Sequence, residues 1–474
     1  MGNILITSFG NGSFDKETKR YDYSIASYFD VASGRTAGQQ RLIIPAMHEL
    51  YQIDKTILIG TAGSNWPLLY KEVMAKRSGF VPKSRVRNEE YYKRLNEYHR
   101  RSQTERININ EMQDVLAELQ EELGDAYPTI CLLEYGITPE EQWYNYSALV
   151  KATLANIVDG DAIFFDITHA FRTLPMYALL VLKFIQQQRK DVAVEMISYG
   201  MFDAKALYEG KTPLTDVSPI AEMVEWISSL IEYNTTGTAY QLLALLEKDT
   251  LISSQIREEL RGSATALRML GEAVAANDIA AFGDLVREIT HIENNPHSLV
   301  NISDNLGAVR LIFSGISGHF ANGCEDNVAL HFLVAAWHMK YGRNMQAAIT
   351  LGGAILLWLE NALSRHGIDT GFGSEAKRNS FIMEVIGSFN KKVNPIQEKK
   401  SFSEFNQNFF AAREIRNAFA HSEGRSFESR DIEMLPGLVA YFTGLYLDGD
   451  RAAARGLIED TLAKRAGEIY ADYY

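Results

Sequence analysis

Near the C-terminus the run AAREIRNAFAHSEG sets Arg416 and Asn417 five and four residues ahead of His421. Histidine titrates near neutrality, so it can move protons to or from a 2′-hydroxyl or a leaving oxygen. A guanidinium can stabilise the extra negative charge of a pentacoordinate phosphorus, and an amide can hold a phosphate or orient a neighbour. The set therefore suits cleavage of RNA without a metal. The bland alternative is that Arg416 and His421 satisfy helix-terminal carbonyls.

Spacing alone decides little, because an Arg-x4-His match arises by accident about 0.5 times in a chain this long. Arg94 and His99 make a second match, but Arg94 is followed by Leu95 inside a highly charged tract. Arg416 is followed by polar Asn417 and an apolar AFA run on a helix with a core-like pattern. Five residues on a helix amount to a rotation of about 140°, so the two side chains do not share a face. They converge if His421 sits at a frayed end before Gly424, or if two copies of the chain meet across a dimer axis.

A second polar constellation lies in the first half. Ser8, Gly10, Asn11, Gly12 and Ser13 follow one apolar run, and Gly60, Thr61, Ala62, Gly63, Ser64 and Asn65 follow another. Small residues let a ligand approach the backbone, and hydroxyls and amides supply neutral donors. A third run, DAIFFDITHAFRTLP, places Asp166, Thr168, His169 and Arg172 within a turn of a predicted helix, where Arg172 can grip phosphate. No loop is a GxGxxG fingerprint, since Gly10 and Gly12 are followed by Asp15, which argues against a dinucleotide. The bland reading is that these residues cap helices.

The elements that must position these groups follow from periodicity. Ile4 to Thr7, Thr56 to Ile59, Thr129 to Leu133, Ala162 to Asp166 and Val192 to Ser198 are short, nearly continuous apolar runs alternating with helical patterns such as Met176 to Gln188. That is the signature of a parallel sheet covered by helices, whose ligands gather at the carboxyl ends of the strands. From about Met223 onward the pattern is helix after helix, including Asn327 to Met339 and Phe402 to Phe419. The segment EGKTPLTDVSPI, 209 to 220, reads as the boundary, dividing the chain into 1 to 220 and 221 to 474. The charged stretch 71 to 125 reads as a helical insertion, either a solvated amphipathic hairpin or a dimer contact or a lid over a ligand.

Bulk properties narrow the classes. Lys and Arg total 47 against 60 Asp and Glu, a net −13, which argues against broad adhesion to duplex DNA or anionic lipid. Cys131 and Cys324 are far apart, and no histidines are arranged as HExxH, so neither a disulfide framework nor a metal site is expected. The N-terminal run MGNILITSFG reads as a strand rather than a signal peptide, and a cytoplasmic location is expected. Ala347 to Leu359 reads as a buried helix too short to cross a bilayer.

Together these features resemble the CARF and HEPN ribonucleases, the ancillary effectors of type III CRISPR systems. DITHAFRTLP at 166 to 175 is similar to the family's Asp-x-Thr-His-Gly segment, with Ala170 in place of the glycine. SYGMFDA at 198 to 204 resembles its next strand and turn, and RNAFAH matches the HEPN Arg-x4-6-His motif. The resemblance implies an α/β Rossmann-like sensor domain followed by an all-α HEPN-type domain, in a homodimer or higher oligomer. It implies that a cyclic oligoadenylate, cyclic tetra-adenylate first, binds at Ser8, Gly10, Asn11, Gly12, Thr61, Gly63, Ser64, Asn65, Asp166, Thr168, His169 and Arg172. Binding would then activate metal-independent cutting of single-stranded RNA by Arg416, Asn417 and His421, in antiviral defence. The sensor of some relatives also degrades its activator. The contrasting expectation is a ligand-gated regulator whose helical half binds a protein or nucleic acid without cutting.

Overall fold

A computed structural model describes residues 2–15, 20–76, 85–169, 173–247, 254–294, 307–368, 375–389, 399–420 and 428–473. The chain divides into two compact units, Met1–Glu222 and Met223–Tyr474.

The first unit is built on an eight-stranded sheet. Its strands are β1 (Asn3–Ser8), β4 (Ala26–Asp30), β5 (Thr36–Gln40), β6 (Lys55–Thr61), β7 (Thr129–Leu133), β8 (Ala162–Asp166), β9 (Ala193–Gly200) and β10 (Thr212–Asp216). A separate short hairpin joins β2 (Ser13–Asp15) to β3 (Arg20–Asp22). The order is β5-β4-β10-β9-β8-β1-β6-β7. The block β7-β6-β1-β8-β9 is parallel throughout, with β1 pairing with β6 on one side and β8 on the other. Chain order thus reverses direction at β1, and the Rossmann-like topological switch point lies between β1 and β8.

Alternation of side chains along the strands sorts the core into two faces. Ile4, Ile6, Ile57, Ile59, Ile163 and Phe165 meet α5 (Pro139–Asn156) and α6 (Leu174–Gln188). On the other side Leu5 and Phe164 meet α1 (Ile43–Tyr51), while Leu58 and Leu132 meet α2 (Trp66–Lys76), α3 (Arg85–Arg101) and α4 (Ile109–Leu123). The strands read as continuous apolar runs because helices cover both their faces.

The 71 to 125 stretch contains an amphipathic helical hairpin: Tyr91, Leu95, Met112, Leu116, Leu119 and Leu123 are buried against Trp66, Leu69 and the sheet. Its charges occupy the outer face, for example Arg100 with Glu97 and Arg101 with Glu111. The 209 to 220 segment, read as the boundary, also carries a strand. Gly210, at φ +83, turns the chain into β10, which runs antiparallel to β9 and parallel to β4. The division between units follows Glu222, two residues beyond the boundary read from sequence and within the first turns of α7 (Ser218–Thr236).

The second unit is helical. After α7 come α8 (Tyr240–Glu247), α9 (Ser254–Ala276), α10 (Ile279–Asn294), α11 (Gly307–Phe320), α12 (Asn327–Lys340), α13 (Asn344–Arg365), α14 (Glu375–Ser388), α15 (Lys399–Ala420), α16 (Ser429–Leu447) and α17 (Ala452–Tyr473). It holds two cores that share α12. Leu330, Leu333, Val334 and Trp337 point into the core formed by α7 to α11, whereas Val328, Phe332 and Ala335 point into that formed by α13 to α17. Asp326 caps α12, accepting from the Val328 and Ala329 N–H groups at 2.8 and 3.2 Å. At 22 residues, α13 outruns the Ala347 to Leu359 stretch and is long and apolar enough to cross a membrane. Its composition is met by packing, because Ala347, Leu351, Ala354, Ile355, Trp358 and Leu359 line the second core.

The hairpin's role in the core is measurable. Leu95 is fully buried, so Leu95→Ala is expected to destabilise the first unit by about 2–5 kcal/mol in urea unfolding. A loss near zero, as on a solvated helix, contradicts the packing described.

Candidate functional site

The crevice between the carboxyl ends of β1 and β8 is organised around Asp166, which is completely buried. Its Oδ2 accepts the Thr7 hydroxyl at 2.7 Å. Its Oδ1 accepts the Thr168 hydroxyl at 2.6 Å, the Thr168 N–H at 3.1 Å and the Ser198 hydroxyl at 3.3 Å. One carboxyl thus ties together the ends of β1, β8 and β9. The Thr168 hydroxyl also accepts the Gly200 N–H at 2.8 Å. A Cβ on Gly200 would stand 2.8 Å from Thr168 Cγ2, so this close approach needs glycine.

His169 follows on the turn and sits among aromatic rings. Its ring centroid lies 4.4 Å from Tyr23 and 6.1 Å from Phe202, and its Nε2 is 3.3 Å from the Tyr28 hydroxyl. The Tyr23 hydroxyl in turn accepts the Gly10 N–H at 2.8 Å. Burial holds the His169 imidazole down at about 4, so it is neutral at physiological pH. Burial also pushes both tyrosines above their ordinary range. Tyr23 and Tyr28 are absent from the residues picked out by sequence. The available signal was the aromatic run RYDYSIASYFD, which lacks the apolar alternation of a core strand.

The β6 loop is sewn to the β1 loop. The Ser64 hydroxyl donates to the Phe9 carbonyl at 2.7 Å and accepts the Thr61 N–H at 2.9 Å. The Asn65 N–H donates to the Gly10 carbonyl at 2.9 Å, while its Oδ1 accepts the Leu68 N–H at 3.2 Å. A Cβ on Gly63 would meet the Tyr135 hydroxyl at 2.9 Å, and Gly12 adopts φ +84 against the Asp22 carbonyl. Asn11 Nδ2 donates to Gln103 Oε1 at 2.8 Å, bringing the α3–α4 connection to this edge. The Ser8 hydroxyl is buried without a partner among the described residues.

The structure therefore brings Ser8, Gly10, Asn11, Gly12, Thr61, Gly63, Ser64, Asn65, Asp166, Thr168 and His169 to one sheet edge. Many of their polar atoms bond to one another there. Asp166, Thr168 and His169 precede α6, which begins at Leu174. Arg172 and Ala170 lie outside the described residues.

In the second unit, Arg416 and Asn417 lie on α15, where Arg416 Nη1 donates to Asn417 Oδ1 at 3.0 Å. Both side chains are half-buried. His421 lies outside the described residues, directly beyond the last residue of α15. The competing pair is engaged elsewhere: Arg94 pairs with Glu118 and stacks over Tyr91, and burial lowers the imidazole of His99 beside the Ser64 backbone. Among the described residues no three His, Cys, Asp or Glu side chains converge as a metal site.

Comparison with known proteins adds a name to the sheet. Residues 4–202 match the family described as CRISPR system endoribonuclease Csx1, CARF domain. The sheet unit is thus similar to Csx1-type CARF domains over those residues. The CRISPR-associated protein MJ1674 of Methanocaldococcus jannaschii is 29% identical over 270 residues, 55% of this chain and 40% of that protein. The chain thus spans less than half the length of that relative. The solved structure of Enterococcus italicus Csm6 bound to cyclic hexa-2′-fluoro-hexa-dAMP aligns over 98% of this chain and 99% of its own. At 10% identity and a TM-score of 0.33 that likeness is too loose to bear on the site.

The β1–β8 crevice carries two groups whose titrations oppose. Burial raises the Asp166 carboxyl from 3.8 to about 6, despite the hydrogen bonds from Thr168, Thr7 and Ser198 that lower it. Between pH 4 and 6 the folded carboxyl keeps a proton that the unfolded one has lost, so its contribution to stability falls as pH rises. His169, lowered from 6.5 to about 4, does the reverse: the unfolded imidazole binds a proton that the folded one refuses, and stability rises with pH. Each effect amounts to about 3 kcal/mol. In urea unfolding, Asp166→Asn should gain on the wild type as pH rises from 4 to 6, and His169→Asn should lose. Parallel pH profiles for both variants would contradict the burial of these groups.

Proposed function

We propose that the CARF domain binds a cyclic oligoadenylate, cyclic tetra-adenylate first, at the β1–β8 crevice, and that binding activates the helical unit to cut single-stranded RNA without a metal. The observation that carries this reading is a Csx1-type CARF domain followed in one chain by a helical unit bearing the paired Arg416 and Asn417. The crevice suits a large cyclic anion: small residues expose backbone, aromatic rings surround His169, and Arg172 follows in sequence to meet phosphate.

The helical unit is read as a HEPN-type nuclease. His421 moves the proton between the 2′-hydroxyl and the leaving 5′-oxygen, Arg416 stabilises the charge on the phosphorane, and Asn417 orients the guanidinium. Attack of the 2′-oxygen forms its bond to phosphorus as the 5′-oxygen leaves. The products are a 2′,3′-cyclic phosphate and a 5′-hydroxyl.

The active form is read as a homodimer. Large apolar side chains are exposed on α5 and α6, with Trp143 at 71%, Met176 at 70% and Leu180 at 58%, a surface suited to a second copy. Two copies also supply the second Arg and His that the rotation along one helix denies. The setting proposed is type III CRISPR antiviral defence in the cytoplasm.

Labelled RNA incubated in EDTA with the purified protein and each cyclic oligoadenylate tests the reading. Activator-dependent cutting is expected, reduced roughly a thousandfold in Arg416→Ala and His421→Ala with ligand affinity kept. Arg172→Ala should instead raise the activator concentration needed. Ligand binding with no cutting would make the protein a ligand-gated regulator.

A further inference from the structure

The aliphatic stem of Arg416 crosses α13 at a notch. A Cβ placed on Gly352 would stand 3.2 Å from Arg416 Cγ, 3.7 Å from its Cβ and 3.9 Å from its Cδ. The neighbouring Gly353 faces open space, with nothing within 4 Å of its Cβ position. Glycine is among the poorest residues for a helix interior, and Gly352 lies well inside a 22-residue helix. At the notch its presence has a steric use, since the stem passes where a side chain would begin. At the other end of the side chain, Asn417 Oδ1 accepts from Nη1 at 3.0 Å. Arg416 is thus held at its base by the shape of α13 and at its tip by an amide one residue along α15.

Resting on the reading that Arg416 stabilises the reacting phosphate, we propose that Gly352 is a positioning residue of that site. Its missing side chain sets how closely the Arg416 stem approaches α13, and so where the guanidinium meets the phosphodiester. A methyl group there must push the stem aside by a few tenths of an ångström, and a branched side chain must push it farther. Misplacing a catalytic group by about 1 Å costs about a hundredfold in rate.

The test compares Gly352→Ala, Gly352→Val, Gly353→Ala and Arg416→Ala in the 474-residue chain, with cyclic tetra-adenylate saturating. Gly352→Ala is expected to lower kcat roughly tenfold and Gly352→Val roughly a hundredfold, with KM little changed. Gly353→Ala makes the same propensity change one position along the helix and should cut like the wild type. Thermal unfolding separates positioning from damage: both alanine variants should melt no lower than the wild type, because alanine favours the helix. If Gly352→Val fails to fold, the two alanine variants carry the comparison. Undiminished cutting by Arg416→Ala, or none by the wild type, overturns the nuclease reading and this inference with it. Abolished cutting in Arg416→Ala with wild-type kcat in Gly352→Ala overturns the inference alone, as do equal losses in Gly352→Ala and Gly353→Ala.

Discussion

The ligand-facing edge of the eight-stranded sheet depends on one buried carboxyl. Asp166 has no access to solvent, and its two oxygens gather Thr7 from β1, Thr168 from the turn and Ser198 from β9. A group so placed is costly to bury unless its oxygens are satisfied. Here the satisfaction is also the architecture, because those hydroxyls come from the strands on either side of β8. Thr168 extends the chain of bonds to the Gly200 N–H, and the adjacent His169 closes the basin with Tyr23 and Tyr28. Loop shape on this edge is therefore referred back to a single anchor beneath it.

Much of the fold was legible because burial on both faces leaves a plain signature. β7 and β8 lie where their apolar runs placed them, at Thr129–Leu133 and Ala162–Asp166, and β1, β6 and β9 differ at their ends only. β4, β5 and β10 were missed for the complementary reason. TAGQQ and TPLTD carry too few apolar residues to stand out; the first is held by its neighbour β4 in the chain, and the second by a ladder to β4, distant in sequence. The hairpin of α3 and α4 was legible as amphipathic, but which residues form its buried stripe, Tyr91, Leu95, Met112, Leu116 and Leu119, is decided by the face they share.

The candidate site was legible in its loops and less so in its contacts. Glycines and hydroxyls marked the strand ends correctly as places of close approach, but spacing could not tell which hydroxyls bond inward. Ser64 and Thr168 spend theirs on neighbouring loops. Tyr23 and Tyr28 arrive from a segment with no motif of its own, and Gly352 meets Arg416 across 64 positions of sequence. Such contacts are products of the fold, and no local pattern encodes them.

The shared helix of the second unit has a consequence for how that unit can be divided. α12 presents Trp337 and Leu333 to one core and Phe332 and Val328 to the other, and is apolar nearly all round. Severed from either neighbour, it would leave a full apolar stripe facing water. The helical unit therefore has no seam along which evolution or an engineer can trim it into a smaller independent part. Insertions belong at its outer connections, and a partner core supplied from elsewhere would have to reproduce the side of α12 it replaced.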